Sequence, residues 1–207
     1  MSSTSAGESA RLAVAAAWVA LALGLAGCVS QETRRDAIND INAAFKVEYE
    51  SILKENGTHR VGSNSVATHE AMIAALQQLG MVVTQQSRDL GFIAVEAPAP
   101  SPLTRAEWDR AAAADLPKAR EILRRHIGSL ADLFHFEPEG VDTVITATII
   151  EERGGAQISL TMRMREVAPP TQGLPRRDYP PPTALRLGLD KIWARLDADL
   201  KVLATKP

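Results

Sequence analysis

Residues 145–165 read ITATIIEERGGAQISLTMRMR, and this stretch decides the fold. Ile145, Ala147 and Ile149 alternate with Thr146, Thr148 and Ile150. Beyond Glu151-Glu152-Arg153-Gly154-Gly155, the residues Ile158, Leu160, Met162 and Met164 alternate with Ser159, Thr161, Arg163 and Arg165. A period of two is that of a strand with one dry and one wet face. Pairing Ile149 with Ile158, Ala147 with Leu160 and Ile145 with Met162 collects all six apolar side chains on one face. The same register sets Thr148 opposite Ser159 and Thr146 opposite Thr161 on the other face. A slip of one residue would scramble both faces, so the hairpin specifies its own register. A sheet dry on one side needs a cover.

The last helix supplies one. From Thr183 onward, Leu185, Leu189, Ile192, Leu196, Leu200 and Leu203 recur at helical spacing. The stripe is too short for a coiled coil, and Asp199 spoils its next seam position. Packing on the dry face of the hairpin is the expected arrangement.

Working back toward the amino terminus, a first helix is predicted over Thr33–Glu55, with Ile38, Ile41, Phe45, Tyr49 and Ile52 on one face and Gly57 as its stop. Thr58–Val61 reads as a short strand. A second helix spans Ser65–Leu79, capped by Ser65 and ended by Gly80 in a left-handed conformation. Met81–Thr84 and Leu90–Ala97 follow as strands. Pro98-Ala99-Pro100-Ser101-Pro102 is expected to be stiff and extended. A third helical region covers Thr104–Ile127, interrupted near Pro117, and Leu133–Phe136 reads as a further strand. The predicted class is α+β: an antiparallel sheet with helices packed on one face, preceded by an amino-terminal helix.

Composition narrows the function. The chain has 207 residues, a formal charge of -2, a pI near 6.1 and 4% aromatics, which gives no footprint for nucleic acid. Hydrophobic residues at 45% suffice for one ordinary core. The only cysteine is Cys28, so neither an intramolecular disulfide nor a cysteine-based metal cluster can form. The four histidines, His59, His69, His126 and His135, lack metal-ligand spacing and read as structural or surface groups. Gly62-Ser63-Asn64-Ser65 lacks the glycine that follows a nucleophilic serine, and Gly154-Gly155 is a turn, not a phosphate loop. Glu137/Glu139 and Glu151/Glu152 lie at loops, where paired carboxylates are solvated. The basic run Lys118–Arg125 is interrupted by Glu121 and reads as a solvated helix face, the other reading being a contact for anionic head groups. No enzyme activity and no cofactor are expected.

Location is written in the first thirty residues. From Leu12 to Ala26 every residue is apolar or glycine, about the length of a signal-peptide core and short of the ~20 residues of a spanning helix. Leu25-Ala26-Gly27-Cys28 follows at once. This resembles the lipobox of bacterial lipoproteins: a leucine three before the cysteine, two small residues, then the cysteine. The resemblance covers about the first thirty residues. It implies residues 1–27 as a signal peptide, Cys28 as the lipidated residue, 28–34 as a tether and 35–207 as one periplasmic domain. Val29, where an aspartate would favour retention at the inner membrane, implies the periplasmic face of the outer membrane, with the inner membrane as the alternative. An uncleaved signal anchor and simple secretion are the competing readings. The order of elements resembles the helix-grip arrangement of a lipoprotein of the outer-membrane β-barrel assembly machinery, a likeness that implies architecture alone.

The two proline-rich connections, Pro98–Pro102 and 168–182, are the best candidates for recognition, and the second displays Arg176, Arg177 and Tyr179 ahead of three prolines. The expected role is therefore a non-enzymatic interaction or envelope-assembly accessory, held to a membrane by the acyl chains of Cys28 and binding an envelope protein. Two alternatives stand beside it. One is a small-molecule or lipid carrier with a cavity between the last helix and the sheet. The other is a periplasmic hydrolase uniting His59 or His69 with Ser63 or an acidic residue.

Overall fold

A computed structural model describes residues 29–167, 174–176 and 180–204. Its elements run α1 (Gln31–Asn56), β1 (Thr58–Val61), α2 (Ser65–Gln78), β2 (Val82–Ser87), β3 (Phe92–Pro98), α3 (Arg105–Ile127), a short 3-10 helix (Gly128–Leu133), β4 (Val141–Glu152), β5 (Gly155–Glu166) and α4 (Pro182–Ala204). The five strands form one antiparallel sheet in the order β1-β5-β4-β3-β2. The class is α+β, with the helices on one face of the sheet.

The β4–β5 register is the one its alternation demands: Ile145 opposite Met162, Ala147 opposite Leu160, and Ile149 opposite Ile158. Pairing continues to Glu152–Gly155, so the turn is only Arg153-Gly154, with Gly154 at φ +90°. On the wet face Thr146 and Thr161 exchange a hydroxyl hydrogen bond at 2.5 Å. On the dry face Ile145, Ala147, Ile158 and Met162 are buried together with Ile93 and Val95 of β3 and with Leu185, Leu189, Ile192 and Leu196 of α4. Gly188 marks the close approach of α4 to the sheet, for a Cβ there would lie 3.0 Å from Met162 Sδ. Leu203, the last residue of the expected stripe, is exposed.

Caps fix the helix starts. Ser30 accepts from Thr33 N–H, so α1 begins at Gln31, two residues before the expected start. Asn64, not Ser65, caps α2 by accepting from Ala67 N–H; the Ser65 N–H is taken by Glu151 at 2.6 Å. Gly80 is left-handed at φ +82°, as expected. Thr104 and Glu107 form a reciprocal capping box on α3. The Thr183 N–H and hydroxyl both donate to Asp115 at 2.8 Å, tying the start of α4 to α3. Burial pushes the Asp115 carboxyl up, against those two bonds.

Three local expectations are corrected. First, α3 is not interrupted: it runs through Pro117 as one helix. The carbonyl that loses its partner is that of Ala113, which like Pro117 is exposed, so water can serve it. Second, Leu133–Phe136 is not a strand. Leu133 ends the 3-10 helix, and no strand pairs with the residues after it. Third, the segment from Pro98 to Pro102 is not simply extended. Pro98 closes β3 opposite Asp142, and the chain then turns, Ser101 N–H donating to Pro98 O and Leu103 N–H to Pro100 O.

Glu107 carries a second load. Besides its cap it accepts from Lys191 of α4 at 2.6 Å, and this bond, then those from Thr104, holds its carboxyl down at about 2. A carboxylate depressed on folding stabilises above its unfolded pKa of ~4.3 and loses that contribution as pH falls toward 2. Glu107→Ala is expected to cost ~1–2 kcal/mol at pH 7, the loss of a cap and one ion pair. In urea titrations the gap from wild type should shrink steadily between pH 4.3 and 2. A gap independent of pH would show that only packing was lost.

Candidate functional site

α1 and α3 lie antiparallel beyond the sheet. His126 pairs with Asp40 at 2.9 Å and Lys118 with Glu48, so eight residues forward along α1 match eight residues back along α3. Between them sits a second apolar cluster of Ala37, Ile41, Phe45, Ala119, Ile122, Leu123 and Ala131. Phe136 packs on this cluster and on the main one alike, stacking on Phe45 with ring centroids 5.9 Å apart.

An apolar groove opens at this end, with a volume of about 300 Å³. One wall is the amino-terminal half of α1, where Arg34, Ala37, Ile38, Ile41 and Asn42 share a face at i, i+3, i+4, i+7 and i+8. Trp108, Leu123 and Ile127 of α3 form another, with Phe134 and Phe136 after the 3-10 helix. Val141 and Met164, at the ends of β4 and β5, make the floor. Leu174, Pro180 and Pro181 of the proline-rich connection close the side. Polar groups are confined to Arg34, Asn42, Glu137 and Glu166.

The expected recognition loop therefore borders this groove. Asn42 Nδ2 donates to Arg176 O at 2.9 Å, and Arg176 Nη1 donates to Glu166 O at 3.2 Å. Both partners line the groove, so Arg176 is moored at its rim. Arg177 and Tyr179 lie outside the described residues, as does Cys28. The described chain begins at Val29, one residue before the α1 cap.

Elsewhere the candidates disperse. The interface between α4 and the sheet, the expected place of a carrier cavity, is filled: Ile145, Leu160, Met162, Ile192 and Leu196 are all buried in one cluster. The basic run lies largely on the exposed face of α3, where its side chains are engaged by partners in the same chain. Arg120 donates to Phe134 O at 3.1 Å, Arg124 pairs with Asp132 at 2.7 Å, and Arg125 with Glu121 at 3.3 Å. His59 pairs with Asp197 at 2.9 Å and stacks on Trp193, ring centroids 5.0 Å apart. The Trp193 indole N–H donates to Asn56 O, so this cluster pins the α1–β1 junction to α4. His69 is buried in α2, and no described residue hydrogen-bonds either of its ring nitrogens. His135 is exposed. Ser63 is engaged through its carbonyl, which accepts from Thr68 at 3.3 Å. Among the described residues no three His, Cys, Asp or Glu side chains are grouped to hold a metal, and no helix is long and apolar enough to cross a membrane.

No family model, curated protein or solved structure matches the chain. The groove is hidden from sequence because its lining comes from six separate segments. In sequence Ile38 and Ile41 read only as members of the α1 stripe; the structure buries Ala37 and Ile41 and leaves Ile38 half-buried against the groove.

Proposed function

We propose that this chain is a lipoprotein whose domain is held at the periplasmic face of the outer membrane and acts there as a non-enzymatic binding accessory. The reading is carried by Leu25-Ala26-Gly27-Cys28 at the end of the apolar run Leu12–Ala26, on the chain's only cysteine. Two or three acyl chains make such an anchor durable, since each buried methylene contributes ~0.8 kcal/mol. The early start of α1 supports the reading, because it leaves Val29 and Ser30 as the whole tether and holds the groove end of the domain close to the bilayer. The mooring of Arg176 at the same end favours a contact surface made jointly by the groove rim and the proline-rich connection.

The test is mass spectrometry of the protein extracted from membranes, with and without mild crosslinking, beside a Cys28→Ser variant. The wild-type chain should lack residues 1–27 and carry acyl groups on Cys28; the variant should carry none. Crosslinked wild-type protein should yield one discrete envelope partner, lost on Arg176→Ala/Arg177→Ala. An intact, unacylated wild-type chain would overturn the anchor, and the absence of any crosslinked partner would overturn the accessory role. The groove also favours a second reading, a lipid-binding domain, with its cavity beside α1 instead of beneath α4.

A further inference from the structure

We propose that the groove beside α1 is the seat of one acyl chain carried by Cys28, so that the domain shelters part of its own anchor. This rests on the lipoprotein reading above, and four observations lead from there to the groove.

The first is chemistry. The lining is mainly apolar: Ile38, Ile41, Leu123, Phe134 and Val141 are hydrocarbon, Met164 adds only a weakly accepting thioether, and the charged lining residues are Arg34, Glu137 and Glu166. A charged or sugar-like ligand would find nothing to satisfy it inside. A hydrocarbon chain needs no such partner.

Size is the second. A volume of about 300 Å³ holds roughly ten methylene groups, taking each at about the ~30 Å³ of one liquid water. That is room for part of one chain and not for a second.

The third is reach. Cys28 stands two peptide units before Ser30, at most ~7 Å away. Ala37, where the buried wall of the groove begins, lies ~10 Å along α1 from that cap. An acyl chain long enough to cover one leaflet, about half of a ~30 Å hydrocarbon core, exceeds the ~13 Å that at most separates Cys28 from Arg34, the first lining residue of α1, so its outer part reaches the groove.

Competition is the fourth. A ligand tied this closely acts at an effective concentration in the millimolar range. In the bilayer the same methylenes are already buried, so groove and membrane compete on similar terms. Away from the bilayer the groove has no rival, and one chain is kept out of water.

The experiment compares the full wild-type chain with full-length Cys28→Ser, both in the same mild detergent, using cis-parinaric acid as probe. Energy transfer from tryptophan reports entry, because Trp108 lines the groove, and both proteins carry Trp18→Phe so that residues 1–27, kept only in Cys28→Ser, add no donor. Cys28→Ser should take up one equivalent of probe, and the acylated wild type should bind it at least tenfold more weakly because the groove is already filled. Ile38→Glu and Ile38→Trp, each in the Cys28→Ser background, should abolish uptake, the first by charge and the second by bulk. Ile38 is only half-buried, so circular dichroism should show both variants folded. Equal uptake by wild type and Cys28→Ser would overturn the proposal by showing a groove open to other lipids. No uptake by either would overturn it as well. Mass spectra of the same samples separate the two readings: a wild-type Cys28 without acyl groups removes the anchor itself, whereas an acylated chain that still binds probe leaves the anchor standing and removes only the shelter.

Discussion

Gly91→Ala is expected to destabilise the protein by more than ~3 kcal/mol, the sum of a left-handed backbone on a residue with a Cβ and an overpacked contact. Gly91 ends the turn between β2 and β3 at φ +59°. Its N–H donates to Arg88 O at 3.1 Å, and its carbonyl accepts from Ile149 N–H at 2.7 Å, so the backbone is tied on both sides. A Cβ would stand 2.0 Å from Ile149 O, a main-chain atom of β4 flanked by strands on both sides. Nothing there is the free end of a flexible side chain, so the ladder itself would have to move. Gly154→Ala is the control. It shares a positive φ, +90°, but a Cβ there meets nothing within 4 Å, so only the conformational cost of ~1–2 kcal/mol remains. Urea denaturation of both variants separates the two effects. Equal losses would mean that β3 and β4 approach less closely at this point.

The second large effect lies at Trp108, and Trp108→Ala should cost ~3–5 kcal/mol. The indole is 2% exposed, belongs to the main apolar cluster and lines the groove. Its Nε1–H donates to Phe136 O at 3.2 Å, which fixes the segment carrying Phe134 and Phe136. Alanine removes the ring, the hydrogen bond and one wall of the groove together. Trp108→Phe keeps most of the volume and should cost only ~1–2 kcal/mol, chiefly through the unpaired carbonyl. Denaturation curves for the pair measure the division between packing and hydrogen bonding. If phenylalanine proved as damaging as alanine, the hydrogen bond would outweigh the packing of the ring.

The sheet was legible because a strand pattern with period two tolerates no compromise. Every pair proposed between Ile145 and Met162 is present, and the β1 limits, Thr58–Val61, follow from Gly57 and Gly62 at its ends. Less was legible where several residues compete for one role. Ser63, Asn64 and Ser65 can all cap α2, and the role falls to Asn64, whose Oδ1 accepts from Ala67 N–H, while Glu151, distant in sequence, satisfies the first helical N–H, that of Ser65. Phe134-His135-Phe136 alternates like a strand, yet its phenylalanines cover the second cluster and meet edge to face at 5.0 Å. Alternation in so short a segment carries no information about a partner. Arg176 was legible as a loop residue, but not its mooring to Asn42, since no local pattern links residues that far apart. Cys28 remains a reading of sequence alone.

The apolar interior is split: the amino-terminal half of α1 and the carboxy-terminal half of α3 form an arm around their own small oil drop, while Tyr49, Ile52, Trp108 and Ala111 of the same helices join the larger one and Phe136 packs on both. The sheet and α4 can stay locked while the arm breathes, as regions with fewer apolar contacts open at lower free energy. Whatever enters or leaves beside α1 then need loosen only the arm, and the β-ladder is a bystander to that exchange.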